Sequence, residues 1–276
     1  MEALQKRSLA SGLRAPVLEV FASIQGEGLH VGRPQVLVRF AGCPLRCRWC
    51  DTPGSWDPAP SRRARVQAPP RAGGPRREEG RATPLELASW VSAVDPEGTR
   101  AVSVTGGEPL IWTPFLLAWR GLLGDRRLHL ETAGAHPRAL ERVLGVVDHV
   151  SLDLKLPADL DAPVPLVAEG AWRESEPVCE RDWEEVRRAC LALVCGRDAC
   201  AKIVVAGGRE PTRFLPLLDD VEAVAPGTPV VLQPVTPLGS VRAPSAALLA
   251  ELVELALARG LDVRVLPQVH RSLGLP

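Results

Sequence analysis

The 276-residue chain has no tyrosine, a single methionine, four phenylalanines, and only three lysines against 30 arginines. Lysine chemistry is thereby confined to Lys6, Lys155 and Lys202, while the arginine excess reads as coding bias. Formal net charge is zero, so no global field favours nucleic acid or an anionic membrane. No apolar run reaches bilayer-spanning length. The N-terminal MEALQKRSLASGLRAPVLEV has no secretory h-region. A cytoplasmic, reducing setting is therefore the expectation, with the seven cysteines acting as ligands or free thiols rather than disulfides. The remaining composition, 46% hydrophobic and 24% charged, is that of a soluble globular protein with ample chain for a core.

Three of the cysteines stand together. Cys43, Cys47 and Cys50 form a Cys-x3-Cys-x2-Cys loop directly after the strand-like VLVRF. Soft thiolates at this spacing suit one face of an iron–sulfur cluster, and three ligands leave one iron of a cubane open to a small molecule. A zinc loop is the alternative, but structural zinc takes four closed ligands, and no fourth Cys or His lies nearby. Chance clustering of buried thiols is a second alternative. Cys179, Cys190, Cys195 and Cys200 match no compact ligand motif, so no second cluster is expected.

From residue 83 onward, strands and helices alternate. Thr83 is placed to cap a helix over PLELASWVSAV, with Pro84 at its first position and Glu86 closing a capping box. Strand-like AVSVT, RLHLE, HVSLDLKL, AKIVVAGG, PVVLQPV and LDVRVLP then alternate with amphipathic stretches. This pattern predicts an α/β fold with a parallel sheet, a partial or full (β/α) barrel whose site lies at the C-terminal strand ends. The distinctive polar segments fall at those ends: the cysteine loop, TGGEP, ETAG, DLK, QPV and PQVH. A single domain over 1–276 is expected, with a flexible insertion at 57–82 and an extra helical excursion at 157–198. The insertion is rich in Pro, Gly and Arg; its seven arginines lack interleaved aromatics, so a solvated loop is expected rather than an RNA-binding surface.

In Thr105-Gly106-Gly107-Glu108-Pro109, paired glycines let backbone approach a ligand, and Glu108 can accept hydrogen bonds from an amine. The cysteine loop followed by GGEP resembles the radical S-adenosylmethionine (SAM) superfamily. Adding Ser23-Ile24-Gln25-Gly26-Glu27-Gly28, CDT, ETAG, LQPV and the terminal QVHRSLGLP, the chain is similar to the 7-carboxy-7-deazaguanine synthase family across nearly its whole length. The resemblance implies a radical SAM barrel with a [4Fe–4S] cluster on Cys43, Cys47 and Cys50. An electron from the cluster would cleave SAM to a 5′-deoxyadenosyl radical. It further implies conversion of 6-carboxy-5,6,7,8-tetrahydropterin into 7-carboxy-7-deazaguanine with loss of ammonia, supported by Mg²⁺ and serving queuosine biosynthesis. A flavodoxin- or ferredoxin-type electron donor and a homodimer come with it; nucleic acid and membrane partners do not.

Carried over by motif, Ile24, Gln25, Gly26, Glu27, Arg39, Thr105, His270 and Pro276 would contact the pterin, with Arg39 on its carboxylate. Trp49, Cys50, Asp51, Gly107, Glu108, Ser151, Asp153, Lys155, Gln233, Pro234, Val235 and Thr236 would contact SAM, with Lys202 a further candidate. Thr52 would give its hydroxyl oxygen to Mg²⁺. Two departures stand out: Ala133 replaces a polar residue after Glu131-Thr132, and Ser151-Leu-Asp-Leu-Lys155 replaces Ser-Pro-Lys. The second leaves open which of Asp153 and Lys155 faces SAM. DLK also resembles glycyl-radical activating enzymes, the alternative enzymatic reading. A zinc-stabilised RNA-binding scaffold is the non-enzymatic one.

Overall fold

The computed structural model describes residues 12–59 and 63–275. The chain opens with β1 (Ala15–Ile24), β2 (Pro34–Phe40), β3 (Arg46–Cys47), β4 (Ala64–Gln67), β5 (Pro75–Glu78) and β6 (Arg81–Ala82). Alternation follows: α1 (Pro84–Val94), β7 (Ala101–Gly106), α2 (Thr113–Arg120), β8 (Leu128–Thr132), α3 (Pro137–Val143) and β9 (His149–Asp153). Then come β10 (Leu160–Asp161), α4 (Glu180–Val194), β11 (Ala199–Val205), α5 (Leu215–Val224), β12 (Val230–Pro234), α6 (Ala246–Leu257), β13 (Val263–Val265) and α7 (Val269–Ser272).

One sheet runs in the order β13-β12-β11-β9-β8-β7-β2-β1-β4-β5, with β6 on β1. From β2 to β13 every pairing is parallel. Because β13 and β5 end the path, the barrel is partial and open. β11 reads as a near-continuous apolar run because all seven of its residues are buried, as a central parallel strand covered on both faces requires. The predicted start of α1 is realised. Thr83 Oγ1 accepts from Glu86 N at 3.3 Å, and the Glu86 carboxylate accepts from Thr83 N at 2.7 Å. Such a cap contributes about 1 kcal/mol. On α4, Trp183, Arg187, Cys190, Leu191 and Val194 are buried at helical spacing, which lays that face against the sheet.

Residues 57–82 correct the expectation of an unpacked insertion. β4 pairs with β1 in parallel, β5 pairs with β4, and β6 pairs with the start of β1. Ala64 and Val66 are fully buried while Arg65 points outward, a period-two pattern that the surrounding Pro, Gly and Arg obscured. The arginines of β5 sit on the outermost strand, where charge discourages further edge pairing. The 157–198 excursion is α-helical only in its second half, at Glu180–Val194, with a single 3-10 turn at Pro157–Asp159. Its first half supplies β10, which pairs with β3 and so grips the cysteine loop.

Candidate functional site

A single cavity inside the open barrel brings together most of the residues the sequence pointed to. Cys43, Cys47 and Cys50 line it together with Ile24 to Glu27, Arg39, Thr52, Thr105, Gly107, Asp153, Lys155, Gln233, Val235, Thr236 and His270. Trp49, Asp51 and Lys202 join them. The cavity is not lined by Glu108, Ser151 or Pro234. Pro276 lies outside the described residues.

The cysteine loop is held by backbone hydrogen bonds from several sides. Gly42 N and Cys43 N donate to Ser55 O and Trp56 O at 2.7 and 3.1 Å. Glu108 N donates to Gly42 O at 2.9 Å, Arg48 N to Asp159 O at 3.0 Å, and Val164 N to Pro44 O at 2.8 Å. Gly107 must be glycine, because a Cβ there would stand 2.2 Å from Gly42 O. All three thiols are free. Burial pushes the Cys43 thiol well up and that of Cys47 to about 11, although Lys155 opposes the shift at Cys47. Binding of a metal cluster would therefore have to displace protons from them.

A chain of charges lines the cavity. Lys202 Nζ lies 2.5 Å from Glu27 Oε2 and 3.1 Å from Asp153 Oδ1, and Lys155 Nζ lies 2.5 Å from Asp153 Oδ2. Burial alone would drive both lysines toward the neutral form, but Asp153 reverses this and holds each ammonium charged, with Glu27 assisting at Lys202. Burial likewise raises Glu27, and Lys202 then brings its carboxyl below the usual range. Lys155 also sits over the Trp49 ring, 4.3 Å from its centroid. Asp153 and Lys155 thus share the site as a pair, in which the carboxylate keeps the buried ammonium charged.

The C-terminal segment closes one wall. Gln268 Nε2 donates to Glu27 Oε1 at 2.8 Å and to Asp51 Oδ2 at 3.1 Å, while Gln268 Oε1 accepts from Thr236 Oγ1 at 2.5 Å. Arg271 donates to Asp51 at 2.9 Å. Burial raises the Asp51 carboxyl, but Arg271 and Gln268 together bring it below its ordinary value. Val269 N donates to Gly26 O at 3.0 Å, and a Cβ on Gly26 would collide with the His270 ring.

Three sequence assignments are corrected in part by these contacts. Glu108 is fully buried and its carboxylate is spent on Leu110 N, Thr132 Oγ1 and Ala133 N at 2.8 to 3.0 Å, so it ties the turns after β7 and β8 together. Ser151 is buried beneath Gly28, with Cys200 Sγ 3.7 Å from its hydroxyl. Arg39 lines the cavity, yet its Nε donates to Glu19 Oε1 at 2.8 Å, so part of its charge is already answered. Cys179 and Cys195 stand at opposite ends of α4, as far apart as a helix of 15 residues requires.

Sequence reasoning passed over Glu131, Gln268 and Arg271. Glu131 accepts from Gln25 Nε2 at 2.8 Å, Ser103 Oγ at 3.1 Å and Thr105 Oγ1 at 3.0 Å, and so positions two expected pterin contacts. Glu131 belongs to ETAG, and Gln268 and Arg271 to QVHRSLGLP, so the motifs themselves carry the signal.

The profile of the radical SAM superfamily matches residues 37–167. The 7-carboxy-7-deazaguanine synthase of Methanothermobacter thermautotrophicus is 33% identical, with 95% of this chain and 98% of that protein covered. The synthase of the same name from Geobacter sulfurreducens is 32% identical, over 94% and 97%. Among solved structures, QueE from Escherichia coli superposes with a TM-score of 0.57 at 22% identity, covering 96% of this chain and 99% of that one. A radical SAM methyltransferase from Sphaerobacter thermophilus gives 0.55 at 15% identity, over 97% and 82%. These two structures bear on the fold alone.

Proposed function

The chain belongs to the 7-carboxy-7-deazaguanine synthase family of the radical SAM superfamily, and from that premise we propose that it converts 6-carboxy-5,6,7,8-tetrahydropterin into 7-carboxy-7-deazaguanine with loss of ammonia. One observation carries the reading: the three-cysteine loop and the Ile24–Glu27 turn line one cavity, which also holds a chain of paired charges running from Glu27 through Lys202 and Asp153 to Lys155.

Cys43, Cys47 and Cys50 would hold the [4Fe–4S] cluster. Three free thiols on one loop, pinned by β10 and by the close approach of Gly107, are the donor set such a cluster takes. When bound, such a cluster would supply the one-electron chemistry that activates SAM for hydrogen abstraction from the pterin. Asp153 and Lys155, beside Trp49, offer the SAM side of the cavity both charges in fixed positions. Gln233, Val235 and Thr236 complete that wall. Glu27, kept ionised by Lys202, accepts hydrogen bonds from the amino and amide donors of the pterin edge. Arg39 meets the substrate carboxylate through the guanidinium donors that Glu19 leaves over, and Thr105 and His270 contact the ring system. Thr52 offers its hydroxyl oxygen to Mg²⁺. The product would feed 7-deazapurine and queuosine biosynthesis in the cytoplasm, with a flavodoxin- or ferredoxin-type electron donor and a homodimeric enzyme.

The test is anaerobic cluster reconstitution followed by SAM, Mg²⁺, dithionite and the carboxytetrahydropterin. Mass spectrometry should detect 7-carboxy-7-deazaguanine. Formation of 5′-deoxyadenosine without that product would keep the radical chemistry and overturn the substrate assignment.

A further inference from the structure

A second polar cluster lies at the other pole of the sheet, outside the cavity just described. His149 opens β9, Asp198 immediately precedes β11, and His30 sits in the turn between β1 and β2. The offered ligand atoms of His30, His149 and Asp198 all lie within 4.8 Å of one another. His149 Nδ1 is 2.8 Å from Asp198 Oδ1. His30 is nine-tenths buried, and among the described residues neither of its ring nitrogens has a hydrogen-bond partner. Buried imidazole nitrogens are normally paired, so two on one ring call for an explanation. His129 adds a third imidazole, its ring centroid 4.4 Å from that of His30, and its Nε2 is likewise buried and unpartnered.

We infer that His30, His149 and Asp198 form a binding site for a late first-row divalent ion of the zinc type, with His129 beside the open position. Imidazole nitrogens and one carboxylate oxygen are donors that zinc accepts. A tetrahedron with zinc–nitrogen bonds of about 2.0–2.1 Å needs ligands about 3.4 Å apart, so the His149–Asp198 pair, now at 2.8 Å, opens slightly while the wider spacings close. Partners that would orient the ligands are in place. Arg127 donates to Asp198 Oδ2 at 2.7 Å and leaves Oδ1 facing His149. Gln35 Nε2 lies 2.9 Å from His129 Nδ1, which would leave Nε2 turned toward the cluster. Arg33 and Arg127 are the nearby cations, so affinity must come from the donors rather than from the local field. Bound metal would tie the β1–β2 turn to the N-terminal ends of β9 and β11. These ends stand about 13 Å along β9 from Asp153 and the charge chain, so the ion would be structural.

The test uses cluster-loaded protein, so that the three thiols of the cysteine loop are occupied. The sample is equilibrated with Zn²⁺, desalted, and analysed for zinc per chain and by zinc-edge X-ray absorption. The expected result is one zinc per chain with nitrogen and oxygen neighbours at about 2.0–2.1 Å and imidazole scattering. His30→Gln should abolish retention. Asp198→Asn, at a half-exposed side chain whose replacement leaves the core intact, should weaken it by about tenfold or more. Absence of retained zinc, sulfur neighbours at about 2.3 Å, or unchanged affinity in Asp198→Asn would overturn the site.

Discussion

The molecule buries two polar clusters and treats them in opposite ways. In the cavity, Glu27, Lys202, Asp153 and Lys155 alternate in sign, and each charge touches its opposite. At the N-terminal pole, His30, His129 and His149 pack ring against ring, and several of their nitrogens face no partner among the described residues. Burial costs both clusters, but it is answered differently. Coulombic pairing keeps the first ionised, whereas the second sheds its protons and stays neutral. The cavity thus presents side chains fixed in charged form, and the pole presents imidazole nitrogens with no partner among the described residues.

The strongest way to test the cavity side is to remove a cysteine. Cys50→Ala should eliminate deazaguanine formation and the visible absorbance of the reconstituted cluster, because three thiolates are the minimum set on this loop. Retained turnover would disprove the assignment. Next in size is Lys202→Met, which leaves the part-buried carboxylates of Glu27 and Asp153 without their shared cation. Urea unfolding should show a loss of about 3–5 kcal/mol. A loss below about 1 kcal/mol would mean that water already shields the chain of charges.

The two clusters should also separate on a pH axis. Burial holds His30 at about 4 and His129 at about 3, from an ordinary 6.5, with neighbouring imidazoles adding to both shifts. Groups with a depressed folded-state value take up protons more readily once unfolded. Their stabilising contribution is complete above about pH 6.5 and declines as pH falls toward 4, by roughly 1.4 kcal/mol per pH unit for each ring. Glu27 and Asp51 are also depressed, but from 4.5 and 3.8, so their contribution survives until pH falls below those values. Unfolding midpoints between about pH 7.5 and 3 should therefore fall in two phases. A flat profile down to pH 4.5 would contradict the neutral-histidine account.

Smaller effects refine the contrast. Gly107→Ala would push a Cβ against Gly42 O, and overpacking of this kind costs about 1–3 kcal/mol. Here the loss should appear together with faster release of iron from the cluster, monitored by chelator. His30→Leu should change metal-free stability by less than about 1 kcal/mol, since it removes nitrogens that have no partner while keeping apolar volume. A cost above about 2 kcal/mol would reveal an uncounted hydrogen bond at that ring.

Much of this was readable in the one-dimensional pattern. The capping box at Thr83, the βα alternation and the cysteine spacing are local features, and each appears where expected. Three kinds of feature were not readable. The packed strands within 57–82 were hidden because edge strands carry charge and proline by design, which resembles loop composition. Glu108 looked like a ligand residue but is consumed by its own scaffold, a distinction that depends on which donors surround it. Lys202 was only a further candidate for SAM contact because its neighbours in sequence are apolar strand residues, yet it stands between Glu27 and Asp153.

The sequence by itself determined the βα alternation after residue 83, the three-thiol loop and the family, because periodicity, caps and motif spacing act over a few residues. Only the tertiary structure decided which charges meet and which histidines go unpartnered. Glu27 and Lys202 are 175 positions apart, and Gln268 reaches back 241 positions to the same carboxylate. Contacts at that range exist only once the parallel sheet has brought the strand ends together, and pairing or solitude there sets each group's protonation.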